Sequence, residues 1–309
     1  MRRFRLKSGQ IGQDESIQRN SSNLTVDLKH INLTYRRYMD AAGLTAEKIR
    51  GMTVLELGPG FNIGIPMRFL ADGAEKVVGS DKFVPLQTSG YFVELYRSLR
   101  SGLTDEEKVR FDQGVRLSDR VELNPQRIEY IYGKEIRDLV SALGRNSMDL
   151  IVSNAVMEEI HDFDTAFSTM DQLLKPGGYM IHRIDLRDYG MFSKYGYHPL
   201  EFLTIPDWAY ERMAVDVGLP NRKLVNDYRA EAARLGYPAT YAATAVLGRT
   251  GEIEPPILAL KPGVDYGESS LQLVREIRPR LLPRYQSLPD ADLVVSGIVF
   301  VAQKPGGRQ

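Results

Sequence analysis

An acid two residues ahead of a glycine turn, and a second acid closing the next apolar segment, are the residues best spaced to do chemistry in this chain. The first lies in Val54-Leu55-Glu56-Leu57-Gly58-Pro59-Gly60-Phe61-Asn62-Ile63-Gly64, and the second ends Val77-Val78-Gly79-Ser80-Asp81. Glycines let the backbone turn sharply and approach a ligand without a Cβ in the way. Asp81 stands where a carboxylate accepts hydrogen bonds from both hydroxyls of a ribose. In a dinucleotide fingerprint, G-x-G-x-x-G, the pyrophosphate rests on a helix N-terminus; here the third glycine comes one residue later, as G-x-G-x-x-x-G. Glu56 would also repel a pyrophosphate. A carboxylate at that point suits a nucleoside carrying a positive ammonium and sulfonium.

Proton transfer has three further candidates. His161 follows the fourth predicted strand by a few residues, and an imidazole titrates near neutrality; the alternative is that it caps a helix together with Asp162. Asp185 stands near the end of the fifth predicted strand, where it either faces an acceptor or pairs with Arg183 or Arg187. His198 precedes Pro199 in a stretch rich in aromatics, Tyr189, Phe192, Tyr195, Tyr197, Phe202, Trp208 and Tyr210. His182, inside an otherwise apolar strand, reads as a hydrogen-bonded core residue. Glu158, Glu159, His161 and Asp162 could be read as a magnesium site, yet acids gathered at a helix start complement its dipole. No metal is expected.

Strands at 53–57, 76–79, 127–132, 148–153 and 179–184, alternating with helices at 64–72, 136–143 and 163–174, predict a parallel, doubly wound sheet. Leu28, Ile31, Tyr35, Tyr38 and Met39 recur at helical spacing and place an amphipathic helix over the glycine turn. Residues 1–23 read as a flexible lead-in and 24–309 as a single domain. The connection at 83–126 is longer than a crossover needs and reads as an insertion, with Tyr91, Phe92 and Tyr96 on a helix. Since ligands enter such sheets at the carboxyl ends of the strands, residues 186–222 are expected to form a lid over the acceptor. Lys175-Pro176-Gly177-Gly178 predicts a turn. Further on, 223–235 and 269–282 read as helices, 239–246 and 292–303 as strands.

Among 309 residues, Lys+Arg and Asp+Glu both total 40, so no net field draws the chain to nucleic acid or an anionic membrane. A small molecule is the expected partner, and self-association is compatible with this composition. The absence of Cys excludes disulfides, thiolate metal sites and cysteine nucleophiles, and suits a reducing cytoplasm. The basic start, Met1-Arg2-Arg3-Phe4-Arg5-Leu6-Lys7, lacks the apolar run of a signal peptide. The apolar run near 293–302 is about half a bilayer span, too short for a membrane span.

With these elements placed, the chain resembles the class I S-adenosylmethionine-dependent methyltransferases from Leu24 to Lys304, most closely over 54–186. Asp149-Leu150-Ile151-Val152-Ser153-Asn154-Ala155-Val156-Met157-Glu158 and Leu173-Leu174-Lys175-Pro176-Gly177-Gly178 resemble motifs of the ubiquinone/menaquinone-type subgroup. The resemblance implies an α/β, mostly parallel seven-stranded Rossmann-like sheet with helices on both faces and an antiparallel last strand. It implies S-adenosyl-L-methionine as methyl donor, with Glu56, Gly58 and Gly60 at its methionine part, Asp81 at the ribose, and Pro59, Asn62 and Lys82 among the cofactor-binding residues. Asn154 would lie beside the transferred methyl. Two departures stand out. Many relatives carry Asp after the third-strand glycine, whereas this chain has Lys134-Glu135, so Glu135 is the candidate substitute for meeting the adenine; and Leu-Glu-His-Val is here Met157-Glu158-Glu159-Ile160, with His161 displaced by two residues. The expected reaction is methylation of a small-molecule hydroxyl, on a sugar, glycan unit or secondary metabolite, assisted by His161, Asp185 or His198. C- or N-methylation of an aromatic natural product, a non-catalytic cofactor-binding module and a nicotinamide dehydrogenase are the alternatives.

Overall fold

The computed structural model describes residues 21–82, 90–214, 219–248 and 267–306. In chain order the elements are α1 (Ser21–Ala41), α2 (Ala46–Ile49), β1 (Thr53–Leu57), α3 (Gly64–Asp72), β2 (Lys76–Asp81), α4 (Gly90–Ser101), α5 (Asp105–Gly114), β3 (Val115–Leu117), β4 (Val121–Leu123), β5 (Ile128–Tyr132), α6 (Leu139–Leu143), β6 (Met148–Asn154), α7 (Phe163–Leu173) and β7 (Leu174–Asp185). There follow α8 (Asp207–Ala214), α9 (Val225–Leu235), β8 (Ala239–Val246), α10 (Glu268–Ile277), α11 (Pro283–Gln286), α12 (Asp290–Leu293) and β9 (Val295–Gln303).

Seven strands form one sheet in the order β5-β2-β1-β6-β7-β9-β8. β1 pairs in parallel with both β2 and β6, β2 pairs in parallel with β5, and β8 runs antiparallel to β9. This is the doubly wound, mostly parallel sheet the sequence predicts. Its winding reverses between β1 and β6, and at such a switch point the loops leaving the strands diverge and open a crevice.

The chain divides into two compact units. The N-terminal unit runs to Asn154 and includes 165–181 and the chain after Ala302. Its strands are buried on both faces, as parallel strands are: Val54, Leu55, Val77, Val78, Leu150, Ile151 and Val152 are inaccessible to water. Helix α1 packs on α3 through Tyr35 and Phe69, ring centroids 4.8 Å apart and edge-on. The packing is close enough that a Cβ at Gly64 would stand 2.3 Å from Ile31 Cδ1. The predicted insertion is helix α4, helix α5 with a Thr104–Glu107 capping box, and the two-stranded β3–β4 ribbon; residues 83–89 lie outside the described residues.

The C-terminal unit holds 155–164 and 182–302. Its core gathers Phe163, Tyr228 and Phe300, with Tyr228 edge-on to Phe163 at 5.0 Å. The predicted lid at 186–222 is broken into short turns, Ser193–Tyr195 and Glu201–Thr204, followed by α8.

Two expectations need correction. The turn predicted at 175–178 lies inside β7: Gly177 takes φ +84° and stays in the sheet by donating to Lys304 O at 3.0 Å, so the glycine bends the strand without ending it. The helix predicted over 269–282 stops as α-helix at Ile277 and tightens into a 3₁₀ turn at Arg278–Arg280, because Pro279 has no N–H to continue the ladder. No helix among the described residues is long and apolar enough to cross a membrane.

Candidate functional site

In the N-terminal unit the carboxyl ends of β1, β2 and β6 bring Glu56, Asp81 and Asn154 to the switch point. β1 leaves the sheet through Gly58 (φ +63°), which donates to Ser80 O at 2.7 Å, and Gly60 (φ +71°), which donates to Asp81 Oδ2 at 3.0 Å. A Cβ at Gly60 would meet no atom within 4 Å, so the turn presents bare backbone to open space. At Gly79 the opposite holds: a Cβ would press on the Tyr130 ring at 3.1 Å and on Pro59 Cγ at 3.3 Å.

The start of α3 shows what this turn does not bind. Asn62 Oδ1 accepts the Gly64 N–H at 3.0 Å, and Tyr96 Oη, reaching over from α4, accepts the Ile63 N–H at 2.9 Å. A pyrophosphate site leaves such amides for phosphate oxygens; here the protein's own side chains take them. Glu56 is 2 % exposed, and its Oε2 has no hydrogen-bond partner among the described residues. Burial, and then the charge of Asp81, hold its pKa well above the usual carboxylate range. A buried carboxylate without a partner is costly, and a cation delivered to it relieves that cost. The bare glycine turn, the unsatisfied Glu56 and Asp81 at the tip of β2 fit S-adenosylmethionine, which brings an ammonium, a sulfonium and a ribose. Lys82 is exposed beside Asp81. Glu135 is exposed and pairs with Arg137, while its backbone N–H donates to Asp138 Oδ2 at 3.3 Å.

The C-terminal unit carries a second group of acids. Ala155 takes φ +54° immediately after β6 and donates to Arg183 O at 2.9 Å. The 3₁₀ turn Met157–Glu159 then directs Glu158 inward: it is 1 % exposed, Oε1 accepts the Asp185 N–H at 3.0 Å, and Oε2 has no hydrogen bond of ordinary geometry among the described residues. Burial, with a smaller contribution from the Asp185 charge, pushes Glu158 up to about 7. The Tyr189 phenol stands against the same carboxyl, and burial with the charges of Glu158, Glu159 and Asp185 holds it far above its ordinary range. Tyr189 is itself at φ +53°, which costs a non-glycine residue about 1–2 kcal/mol. Asn221 clamps this turn, its N–H on Glu158 O and its Nδ2 on Met157 O and Ile160 O at 2.8 and 2.9 Å.

The three residues expected to move protons fall in different places. Asp185 takes Arg187 in a two-pronged pair, Nε at 2.7 and 2.9 Å with Nη2 also engaged, and accepts the Arg187 N–H at 3.0 Å. His161 is exposed, with Nε2 3.1 Å from Leu219 O. His198 Nδ1 accepts the Leu200 N–H at 3.0 Å, which makes Nε2 the protonated nitrogen donating to Leu273 O at 2.9 Å. Both its nitrogens serve the backbone, and burial lowers its pKa. His182 is fully buried against Phe300, and burial lowers it to about 3. A cavity of about 460 Å³ lies in this unit among 186–200, Leu247, Gly248, Val295 and Ser296.

Residues 29–234 match the family model of a methyltransferase domain. The chain belongs to that family. It is an S-adenosylmethionine-dependent methyltransferase of class I. No curated protein matches it. Among solved structures it is similar to the S-adenosylmethionine-dependent methyltransferase of Mesorhizobium loti, at 16 % identity over 91 % of this chain and 99 % of that one, TM-score 0.42. It is also similar to phosphoethanolamine N-methyltransferase 2 of Haemonchus contortus in complex with S-adenosyl-L-methionine, at 14 % identity over 88 % of this chain and 60 % of that one, TM-score 0.42.

In the sequence of this methyltransferase Glu158 stands out only as a possible metal ligand or helix-dipole acid, not as a base, and Tyr189 only as one aromatic among several. Both lay inside recognised segments. Nothing in Met157-Glu158-Glu159-Ile160 distinguishes the acid that turns inward from its exposed neighbour Glu159.

Proposed function

We propose that this methyltransferase alkylates a hydroxyl oxygen of a small molecule held by the C-terminal unit, with Glu158 as the proton acceptor. The observation that supports this reading is a buried carboxyl, poised near neutrality, with one oxygen fixed by the Asp185 N–H and the other left to the Tyr189 phenol, without a hydrogen bond of ordinary geometry among the described residues. Bound S-adenosylmethionine supplies an electrophilic methyl carbon on positive sulfur. For the chain, the work is to align the acceptor, exclude water and take a proton. Glu56 and Asp81, with the turn Gly58-Pro59-Gly60 and Asn62, would hold the donor, and Asn154, at the tip of β6, would face its methionine part. Methyl transfer to the acceptor oxygen, with cleavage of the carbon–sulfur bond, would leave a hydroxyl proton for Glu158 Oε2 to take, directly or by way of the Tyr189 phenol. Asp185 positions the pair through its N–H and fixes Arg187 through its carboxylate.

A nitrogen or ring-carbon nucleophile needs less help from a base, so a carboxyl tuned to pH 7 favours oxygen chemistry. The test is to supply S-adenosylmethionine carrying a ¹³C-methyl group with a fractionated cell extract and read the carbon chemical shift of each new methyl signal. An oxygen-bound methyl, lost in Glu158→Gln, is the expected result. Label found on nitrogen or carbon overturns the reading.

A further inference from the structure

The cavity in the C-terminal unit has apolar walls and an unevenly satisfied polar lining. Leu186, Pro199, Leu200, Leu247 and Val295 supply the walls. Of the charged side chains that line it, Asp188 is fully occupied: its two oxygens take the N–H groups of Gly190, Phe192 and Ser193 at 2.7–2.8 Å and the Ser193 hydroxyl at 2.7 Å. That carboxylate holds the turn at 188–193 and has little left to offer a ligand. Arg187 is oriented by the two-pronged pair with Asp185. Lys194 is different, because no carboxylate among the described residues lies within ion-pair distance of it. Its stem rests on Gly190, where a Cβ would come within 3.4 Å of Lys194 Cβ, and its ammonium lies 5.1 Å from the centre of the Tyr195 ring.

Ser296 supplies the second unsatisfied group. It is 2 % exposed, lies at the start of β9 on the cavity lining, and its Oγ has no hydrogen-bond partner among the described residues. Buried hydroxyls without partners are uncommon and point to a group the protein itself does not provide. A cation and a hydroxyl donor, neither with an acceptor among the described residues, are a matched pair for one anionic oxygen group. The volume of about 460 Å³ lies within the range of small-molecule sites, roughly 300–1,000 Å³.

We propose that this cavity receives the acceptor through an anionic group, a carboxylate or a phosphate ester, held by Lys194 and the Ser296 hydroxyl with Arg187 alongside, while the apolar walls take the body of the molecule. The proposal rests on the reading of the C-terminal unit as the acceptor's place, and it adds the substrate class: a hydroxylated organic acid or phosphate with an apolar frame.

The experiment is a fragment screen on the full chain with ¹³C-methyl-labelled leucines, using equal numbers of aryl and alkyl carboxylates, phosphate esters, uncharged amides and amines. Carboxylates or phosphate esters are expected to shift the methyl signals of Leu186, Leu200 and Leu247 preferentially, and the better of the two names the group. Lys194→Met and Ser296→Ala are each expected to weaken those fragments about fivefold or more and to leave the uncharged amides unchanged. Amides or amines binding as well as the anions overturns the proposal, as does anion binding that leaves these leucines unmoved or survives both substitutions intact. The readout needs no methyl transfer, so it separates from the oxygen-acceptor reading: anions seated here with label arriving on nitrogen would sink only that reading, and oxygen methylation of an uncharged acceptor would sink only this one.

Discussion

Replacing Glu158 by Gln puts the proton-acceptor assignment at risk in two measurements with opposite signs. Below its ordinary pKa of 4.5 the carboxyl is protonated in folded and unfolded chains alike, so it contributes no difference. Between 4.5 and about 7 the unfolded chain ionises while the folded one keeps its proton. The unfolded state then binds fewer protons, and stability falls as pH rises. Above about 7 the folded protein carries the full penalty of a buried charge; at about 1.4 kcal/mol for each decade that penalty is about 3 kcal/mol. Gln has nearly the same shape and stays neutral. Urea denaturation of Glu158→Gln should therefore match wild type near pH 4.5 and exceed it by about 3 kcal/mol at pH 8.5, with the gain growing across pH 5–8. Methyl transfer moves the other way: wild-type kcat should rise with pH through about 7 as the base loses its proton, and the variant should be slower by about 10²–10⁴-fold with that inflection gone. A stability difference that is flat with pH would refute the burial argument. A variant that keeps both kcat and the inflection would refute the role.

Further outcomes follow from the same structure. S-adenosylmethionine binding should release protons, because an ammonium beside Glu56 makes that raised carboxyl ionise; calorimetry in buffers of different ionisation enthalpy reads this directly, and Glu56→Gln should abolish the buffer dependence. Gly60→Ala should cost folding about 1–2 kcal/mol, from its φ of +71°, but reduce cofactor affinity more, since its Cβ enters the open space of the turn. Gly64→Ala should do the reverse: forced against Ile31 at 2.3 Å, it is expected to cost about 1–3 kcal/mol of stability, measured by denaturation. His198→Gln separates support from catalysis. Burial lowers the His198 pKa, so the unfolded chain takes up a proton near 6.5 that the folded ring resists; wild-type stability should drop as pH falls through 6.5, the variant should lose that acid sensitivity, and kcat should stay within about threefold.

The glycine turn was legible because its chemistry is local. Glu56, Gly58, Gly60 and Gly64 fall within nine consecutive residues, and strand, turn and helix follow from their own periodicity and steric freedom. The doubly wound, mostly parallel architecture was legible for a related reason: alternating apolar strands and amphipathic helices leave few ways to bury both faces of a sheet. The β3–β4 ribbon escaped notice because Val115–Leu117 and Val121–Leu123 are three residues each, too short to show a period. The aromatics of 186–222 divide by a property that composition does not encode, Phe202 and Tyr210 being buried while Trp208 is 74 % exposed.

Glu158 was hidden for a physical reason that bears on where the base should be sought. Read in one dimension, Met157-Glu158-Glu159-Ile160-His161-Asp162 is a polar stretch ahead of a helix, and the imidazole is its natural base because an imidazole titrates near neutrality without assistance. A carboxylate reaches the same range only if the fold removes its water, and the residues that do so are remote. Asp185, which hydrogen-bonds Glu158, stands 27 positions further on, and the clamp at Asn221 comes only at the far end of the segment predicted as a lid. The tuning also has a visible cost, since Ala155, Tyr189 and Arg222 are all held at positive φ. Non-glycine residues remain in that region only when their surroundings over-determine them, and such positions gather at functional sites. Of the four non-glycine residues so held among the described residues, Asn146 being the fourth, two flank the carboxyl, Ala155 three residues before it and Tyr189 against it. If that strain serves only packing, Tyr189→Gly should stabilise the chain by about 1 kcal/mol or more and leave the pH inflection of kcat where it was. If Tyr189 helps to desolvate Glu158, the same substitution should move the inflection down toward the ordinary carboxylate range, a displacement that a purely structural role cannot produce.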